Sequence, residues 1–297
     1  MKAARLFILT GLAMIAFASN SLLCRAALRD TQIDAATFTF VRLLSGALAL
    51  WLVITARSYL LSHVTRHSSL SFSDWPSAFA LFAYAAAFSF AYNTLAAGTG
   101  ALLLFGAVQA TMILWGIHKG ERFDALQIVG FAVAIAGLIV LVFPGLSAPP
   151  LIGSLLMLTA GLAWGVYSIL GKVKGQSGSD RDAIAGTTGN FVRAVPFAAV
   201  VSAIALRNAR LDSLGVTYAV ISGAITSGLG YVIWYSILPR IKASSAAVVQ
   251  LSAPIIAATG GILLLNEPLT LRYVIASIAT LGGIFLVIIE RRSTSSA

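Results

Sequence analysis

The sequence predicts an all-α membrane protein of ten transmembrane helices, built as two inverted five-helix repeats. Three observations carry this. The chain of 297 residues is 59% hydrophobic and only 10% charged, whereas a soluble domain carries about 25% charged residues. Its apolar runs recur ten times at a length of roughly 20 residues, the span of a bilayer core. The two halves of the chain align with each other, and five is an odd number, so the second copy must enter the membrane upside down.

Each span follows from its flanks. The first, 6–24, follows Lys2 and Arg5 and runs apolar to Cys24. A basic start and a Cys after Leu-Leu resemble a secretory leader, but the repeat needs this helix, so it is expected to stay. The second, 35–55, holds Arg42 inside "TFTFVRLL", and the polar stretch "RSYLLSHVTRHSSLSFSDWP" follows it. Spans three to five are placed at 76–96, 100–117 and 124–144, and "PGLSAPP" ends the first half. The sixth, 151–171, stops at the Gly/Ser-rich, charged "KVKGQSGSDRD". The last four fall at 184–205, 214–237, 244–265 and 270–290. The runs are continuous rather than alternating, which excludes a membrane β-barrel. The repeats divide the chain into 1–147 and 148–297.

The net charge of +10 would suggest nucleic acid in a soluble protein. Here the basic residues lie between spans, without a basic block interleaved with aromatics, so no nucleic-acid partner is expected. With ten spans and a cytoplasmic N-terminus, thirteen of the twenty Lys and Arg fall on the cytoplasmic side and five on the other. That bias predicts both termini in the cytoplasm. The remaining two, Arg42 and Arg193, lie within spans. One cysteine excludes an intrachain disulfide and a thiolate metal site. His63, His67 and His118 fall in loops, and no phosphate-binding glycine loop is present, so neither an enzyme, a metal or cofactor site, nor an ATP-driven pump is expected.

The internal alignment is specific. "GERFDALQIVGFAVAIAGLIVLV" (120–142) matches "NEPLTLRYVIASIATLGGIFLVI" (266–288) without gaps, placing Glu121 on Glu267 and Gly137 on Gly283. "FASNSLLCR" lies over "WGVYSILGK", "FVR" over "FVR", and "YNTL" over "YSIL". Together with aromatic first helices (Phe17, Trp164, Tyr167) and the Gly-Glu and Asn-Glu-Pro turns, these segments resemble the EamA type of the drug/metabolite transporter superfamily. Within it the chain is similar to the YddG-type bacterial amino-acid exporters. The resemblance implies helices 1–4 and 6–9 around a central cavity, with 5 and 10 outside. It also implies a secondary transporter of the bacterial inner membrane that exports amino acids, aromatic or broadly neutral, by alternating access. The alternative cargo is nucleosides or hydrophobic drugs. A monomer is expected, with a homodimer as the alternative.

Polar groups inside a span are costly and mark function. Candidate substrate-binding residues are Asn20, Tyr84, Tyr92, Asn93, Gln109, Trp164, Tyr167, Tyr231, Trp234 and Gln250, whose aromatic bodies and polar tips suit a zwitterion with a varied side chain. Packing in the core is the competing reading for the aromatics. Arg42 and Arg193 are expected to act structurally or as gates, with a grip on a substrate carboxylate as the sharper alternative. Pro196 and Pro254 interrupt helices 7 and 9 and are expected to bend them. All ten acidic residues fall in loops or at helix ends, which predicts transport without an intramembrane proton-coupling carboxylate. Small-residue stripes (Gly130/Ala134/Gly137 and Ala276/Thr280/Gly283) are expected to pack within the chain.

Overall fold

A computed structural model describes residues 3–60, 73–121, 123–145, 148–175, 180–237, 241 and 248–290. The described residues form ten helical spans and no strand, the ninth reaching membrane length only with the helical residues 248–250 that precede it. The first five are α1 (Ala3–Asp30), α2 (Ala35–Leu60), α3 (Trp75–Tyr92), α4 (Ala97–His118) and α5 (Ala125–Val142). The second five begin with α6 (Leu151–Gly175) and α7 (Asp180–Ile204). In α8, an α-helix over Ser213–Val220 passes into a π-helix over Ile221–Leu229 and returns to α-helix over Gly230–Ile237. α9 (Ser252–Leu265) and α10 (Leu271–Glu290) complete the chain. The chain is a multi-pass membrane protein: nine of these helices are long and apolar enough to cross a bilayer. The tenth, α3, is diluted by Ser77, Tyr84, Ser89 and Tyr92, all buried within the protein. His63 and His67 lie outside the described residues.

Local chemistry sets the helix ends. Asp74 accepts from the Ser77 N–H, and Asp212 from the Gly215 N–H. Asp124 and Gln127 form a reciprocal capping box at the start of α5. Asp34 accepts from the Ala36 and Thr37 N–H groups, and its second oxygen takes the Arg210 N–H at 3.0 Å, tying the α1–α2 turn to the second half. Acids stand at helix N-termini because four unpaired N–H groups and the positive end of the dipole wait there. Burial raises the Asp34 carboxyl, but the hydrogen bonds from Thr37, Arg210 and Ala36 outweigh it and hold the group below the ordinary carboxylate range.

The aligned Gly120 and Asn266 occupy the same left-handed turn, at φ 88° and 51°. Each lets the following Glu N–H bond back to a carbonyl of the preceding helix, Glu121 to Gly116 and Glu267 to Gly261. Glycine and asparagine are the residues that adopt this conformation at least cost.

Several boundaries differ from expectation: α1 runs on to Asp30 rather than 24, α2 to Leu60 rather than 55 and α6 to Gly175 rather than 171, and α4 begins at Ala97 rather than 100. α3 ends at Tyr92 rather than 96, because the chain turns sharply and the Tyr92 hydroxyl donates to the Ala97 carbonyl. In helix 9 the chain is helical over 248–250, turns at Leu251 and resumes at Ser252. Pro254 has no N–H to give the Gln250 carbonyl, so the ladder opens there. Residues 244–247 lie outside the described residues. The π-helix in α8 was not signalled by hydropathy.

The principal pairings cross between halves: α1 with α8 and α9, α6 with α3 and α4, α2 with α7 and α8, α3 with α7, α4 with α9, and α5 with α10. Exchanging helices 1–5 for 6–10 leaves this set unchanged. The small-residue stripes meet face to face. A Cβ on Gly283 would stand 2.4 Å from the Gly130 carbonyl oxygen, and one on Gly137 would stand 2.6 Å from Thr280 Oγ1. α5 and α10 thus touch backbone to backbone, with lipid-facing side chains such as Ile139, Phe143, Ile278 and Phe285 outside.

Replacing Gly137 by Leu should cost about 1–3 kcal/mol by overpacking this seam, read as a lowered unfolding temperature in detergent. Gly282→Ala, inside α10 where nothing lies within 4 Å, should leave stability unchanged or raise it by up to about 1 kcal/mol. Because the Asp34 carboxyl is depressed in the folded state, its contribution is full above the unfolded value of about 3.9. It is lost as pH falls through the lower folded value. Unfolding followed between about pH 7 and pH 3 should therefore show a smaller acid-dependent loss for Asp34→Ala than for the parent chain.

Candidate substrate site

The aromatic residues singled out in the sequence converge from both halves. Trp164 (α6) stacks on Tyr231 (α8) at 5.3 Å and 16°. It also touches Tyr84 (α3) at 4.7 Å and Tyr167 at 5.3 Å. Phe17 (α1) closes the group, 5.8 Å from Tyr231 and 5.9 Å from Trp234. Phe191 (α7) meets Tyr231 edge-on at 6.0 Å. Tyr84, Tyr167, Tyr231 and Trp234 are buried, and Trp164 is partly buried.

A polar cluster adjoins these rings. Asn20 Nδ2 donates to the Tyr84 hydroxyl at 3.3 Å, and Ser222 Oγ donates to Asn20 Oδ1 at 2.6 Å. Thr226 Oγ1, 3.5 Å from the same oxygen, makes its shorter bond to the Ser222 carbonyl at 2.7 Å. Arg42 is 2% exposed, the largest side chain so deeply buried among the described residues. Its Nη2 donates to the Tyr84 hydroxyl at 2.9 Å, and its guanidinium lies over the rings of Phe88 (4.8 Å) and Tyr84 (5.2 Å). The π-helical part of α8 lies directly on this stretch of α2: a Cβ on Gly223 would come 2.1 Å from the Arg42 carbonyl oxygen. π-Helical turns widen a helix locally and recur at functional sites. Here the turn presents Ser222 and Thr226 to Asn20.

At one end of the bundle the halves are tied by charge. Arg25 (α1) pairs with Glu267 at 3.2 Å and donates to the carbonyls of Tyr92 and Asn93. The other Glu267 oxygen accepts the Ala97 N–H at 2.8 Å, capping α4 from the opposite half. Arg29 donates to the Leu265 carbonyl at 2.6 Å. One carboxylate therefore links α1, α4 and the α9–α10 turn.

The remaining candidates are spread out. Tyr92 is fully buried in the α3–α4 turn, edge-on to Phe88 at 4.8 Å. Asn93 caps α3 and is exposed. Gln109 is buried on α4, and Gln250 is half-buried in the helical turn before Leu251. The two duplicated arginines differ: Arg193 is half-buried, 5.8 Å from the ring of Trp75 at the start of α3. Pro196 lies inside α7 on an exposed face, and Pro254 lies in the first turn of α9. Among the described residues no group of His, Cys, Asp and Glu could hold a metal ion. Sequence reasoning passed over Ser222, Thr226, Phe88 and the Arg25–Glu267 pair. The signal for the first two was a Ser and a Thr four apart in "ISGAITSG".

The profile of the EamA-like transporter family matches residues 151–289. An uncharacterized protein of Pseudomonas aeruginosa is 52% identical over 97% of this chain and 96% of its own length. An Escherichia coli protein described as a "Probable amino-acid metabolite efflux pump" is 26% identical, over 64% of this chain and 67% of its own length. A solved crystal structure, 15% identical, superposes with a TM-score of 0.65, covering 97% of this chain and 99% of that one.

Removing the Glu267 carboxylate leaves Arg25 without its counter-charge and the Ala97 N–H uncapped. Glu267→Ala should lower stability by roughly 2–5 kcal/mol, measured by chemical unfolding in mixed micelles.

Proposed function

The chain belongs to the EamA-like transporter family, and on that premise we propose that it exports amino acids, aromatic or broadly neutral, across a bacterial inner membrane by alternating access. It is a transporter of small molecules and not an enzyme. The observation that carries the cargo reading is the convergence of Trp164, Tyr231 and Tyr84 from opposite halves beside Asn20 and Arg42. Such a junction offers flat apolar faces for a side chain and hydrogen-bonding groups for a polar head. The name of the Escherichia coli relative supports the same class.

The Lys/Arg bias puts both termini in the cytoplasm and the Arg25–Glu267 pair on the outer face. On this reading the pair ties the two halves together at that face, and outward release requires it to separate. The two halves, 1–147 and 148–297, act as the inverted units that rock about the aromatic junction. Pro196 and the break before Pro254 are the places where α7 and α9 flex, since each opens the helical ladder. Asp74, Asp124 and Asp212 cap helices, and Glu267, though buried, is paired with Arg25 at a helix end, which supports facilitated transport or exchange rather than a proton-carrying carboxylate in mid-span.

Reconstituted liposomes loaded with unlabelled amino acids should take up labelled threonine, methionine or phenylalanine without a proton gradient, above protein-free liposomes. Trp164→Ala should reduce that uptake at least about 10-fold, the loss expected when an aromatic anchor is truncated. Silence across a panel that includes lysine and glutamate, with nucleosides or hydrophobic amines moving instead, overturns the cargo.

A further inference from the structure

Arg42 presents a bonding problem that the transport reading leaves open. A guanidinium carries five N–H donors in one plane and stays charged in proteins. The side chain is 2% exposed. Nη2 is satisfied by the Tyr84 hydroxyl, but Nη1 has no partner. Arg42 takes part in neither the Arg25–Glu267 nor the Arg29–Asp30 pair. A buried cation without a counter-charge is strongly unfavourable. The rings of Phe88 and Tyr84 attract the guanidinium face, but a cation–π contact acts perpendicular to the plane and leaves in-plane donors unmet.

Tyr84 makes the same point from the other side. Its hydroxyl oxygen receives both Arg42 Nη2 and Asn20 Nδ2. A phenol has two acceptor lone pairs and one proton. With both lone pairs engaged, its own proton is left for a further acceptor. Asn20 is held in this role by Ser222, which occupies its carbonyl oxygen. Two unspent donors, Arg42 Nη1 and the Tyr84 O–H, therefore belong to groups 2.9 Å apart. Trp164 lies 4.7 Å from the Tyr84 ring.

We propose that Arg42 and Tyr84 form an anion site between the halves, which receives the carboxylate of the transported solute. A carboxylate supplies two planar acceptors matched to the guanidinium fork, and it provides the counter-charge that the described ion pairs do not give Arg42. The solute's apolar portion then lies along Trp164 and Tyr231. Neutral solutes of the same shape leave Arg42 unpaired and are rejected. This assignment rests on the transporter reading for its setting. It does not rest on amino acids being the cargo, because any carboxylate of suitable size meets the same donors.

The test uses the full chain in detergent at about pH 6, where the amino groups of phenylalanine and its amide stay protonated, with tryptophan fluorescence as the readout, and ligands paired to differ in the anion alone. The pairs are phenylalanine with phenylalaninamide, and 3-phenylpropionate with 3-phenylpropionamide. In the parent chain at least one acid should bind at least about 30-fold tighter than its amide, as expected for a buried charge pair. Arg42→Gln should bring that ratio to about 1, and Arg42→Lys should leave it intermediate. Tyr84→Phe, which keeps the ring but removes the hydroxyl, should lower it severalfold and carries the test should Arg42→Gln not fold. No response to either acid, equal binding of acid and amide by the parent chain, or a ratio unchanged in the variants that fold overturns the site. Amino-acid counterflow without acid–amide discrimination removes the anion site and keeps the exporter. Preference for 3-phenylpropionate without amino-acid counterflow does the reverse.

Discussion

Lipid offers no hydrogen bonds, and in this chain that constraint decides where polar atoms sit. Backbone groups are closed within helices, except at the ends, where aspartates take up the first N–H groups. Polar side chains inside the spans must then bond to one another or back to their own helix. Many do the latter: Thr39, Ser89, Thr111 and Thr188 each donate to the carbonyl four residues earlier. The exceptions are the informative ones. Asn20, Arg42 and Tyr84 turn toward each other and meet Ser222 where the two halves join.

The halves are mutually dependent in consequence. Arg25 would be a stranded charge without Glu267, and α4 would lose its cap. The aromatic junction needs Trp164 and Tyr231 from one half and Phe17 and Tyr84 from the other. Neither half could display such a site alone. Glycine makes the approach close enough: Gly161 and Gly165 lie against Leu104, Ala107 and Thr111 of α4, and Gly130 lies against Gly283. Cohesion comes from van der Waals contact along these seams, since transfer from lipid to protein interior carries no hydrophobic gain.

Much of this was legible in the sequence because hydropathy and duplication are local signals. Ten apolar runs gave ten helices, and the gapless match of 120–142 with 266–288 foreshadowed both the α5–α10 seam and the shared left-handed turn at Gly120 and Asn266. Mid-span aromatics pointed to the junction for Trp164, Tyr167, Tyr231 and Trp234. Asn93 was less legible, because the α3–α4 turn comes earlier than the apolar run suggests. The Arg25–Glu267 link was not legible, as it joins residues 242 positions apart and looks in sequence like two ordinary loop charges. Duplication also concealed a difference. "FVR" occurs twice, yet Arg42 is enclosed by Phe88 and Tyr84, while Arg193 lies beside Trp75, since the surroundings of an arginine are set by the partner helices.

The π-helix of α8 bears on how the chain tolerates changes in length. In an α-helix, deleting one residue rotates everything beyond it by about 100° and shifts it by about 1.5 Å, which would turn a packed face toward lipid. The stretch Ile221–Leu229 already holds more residues per turn than its neighbours. A single deletion there is absorbed by rewinding to ordinary α-helix, with Tyr231 and Trp234 kept close to their present facing. The same deletion in α2 or α6 has no such slack. A one-residue deletion that keeps the aromatic junction should therefore cost less in this segment of α8 than in the straight helices around it.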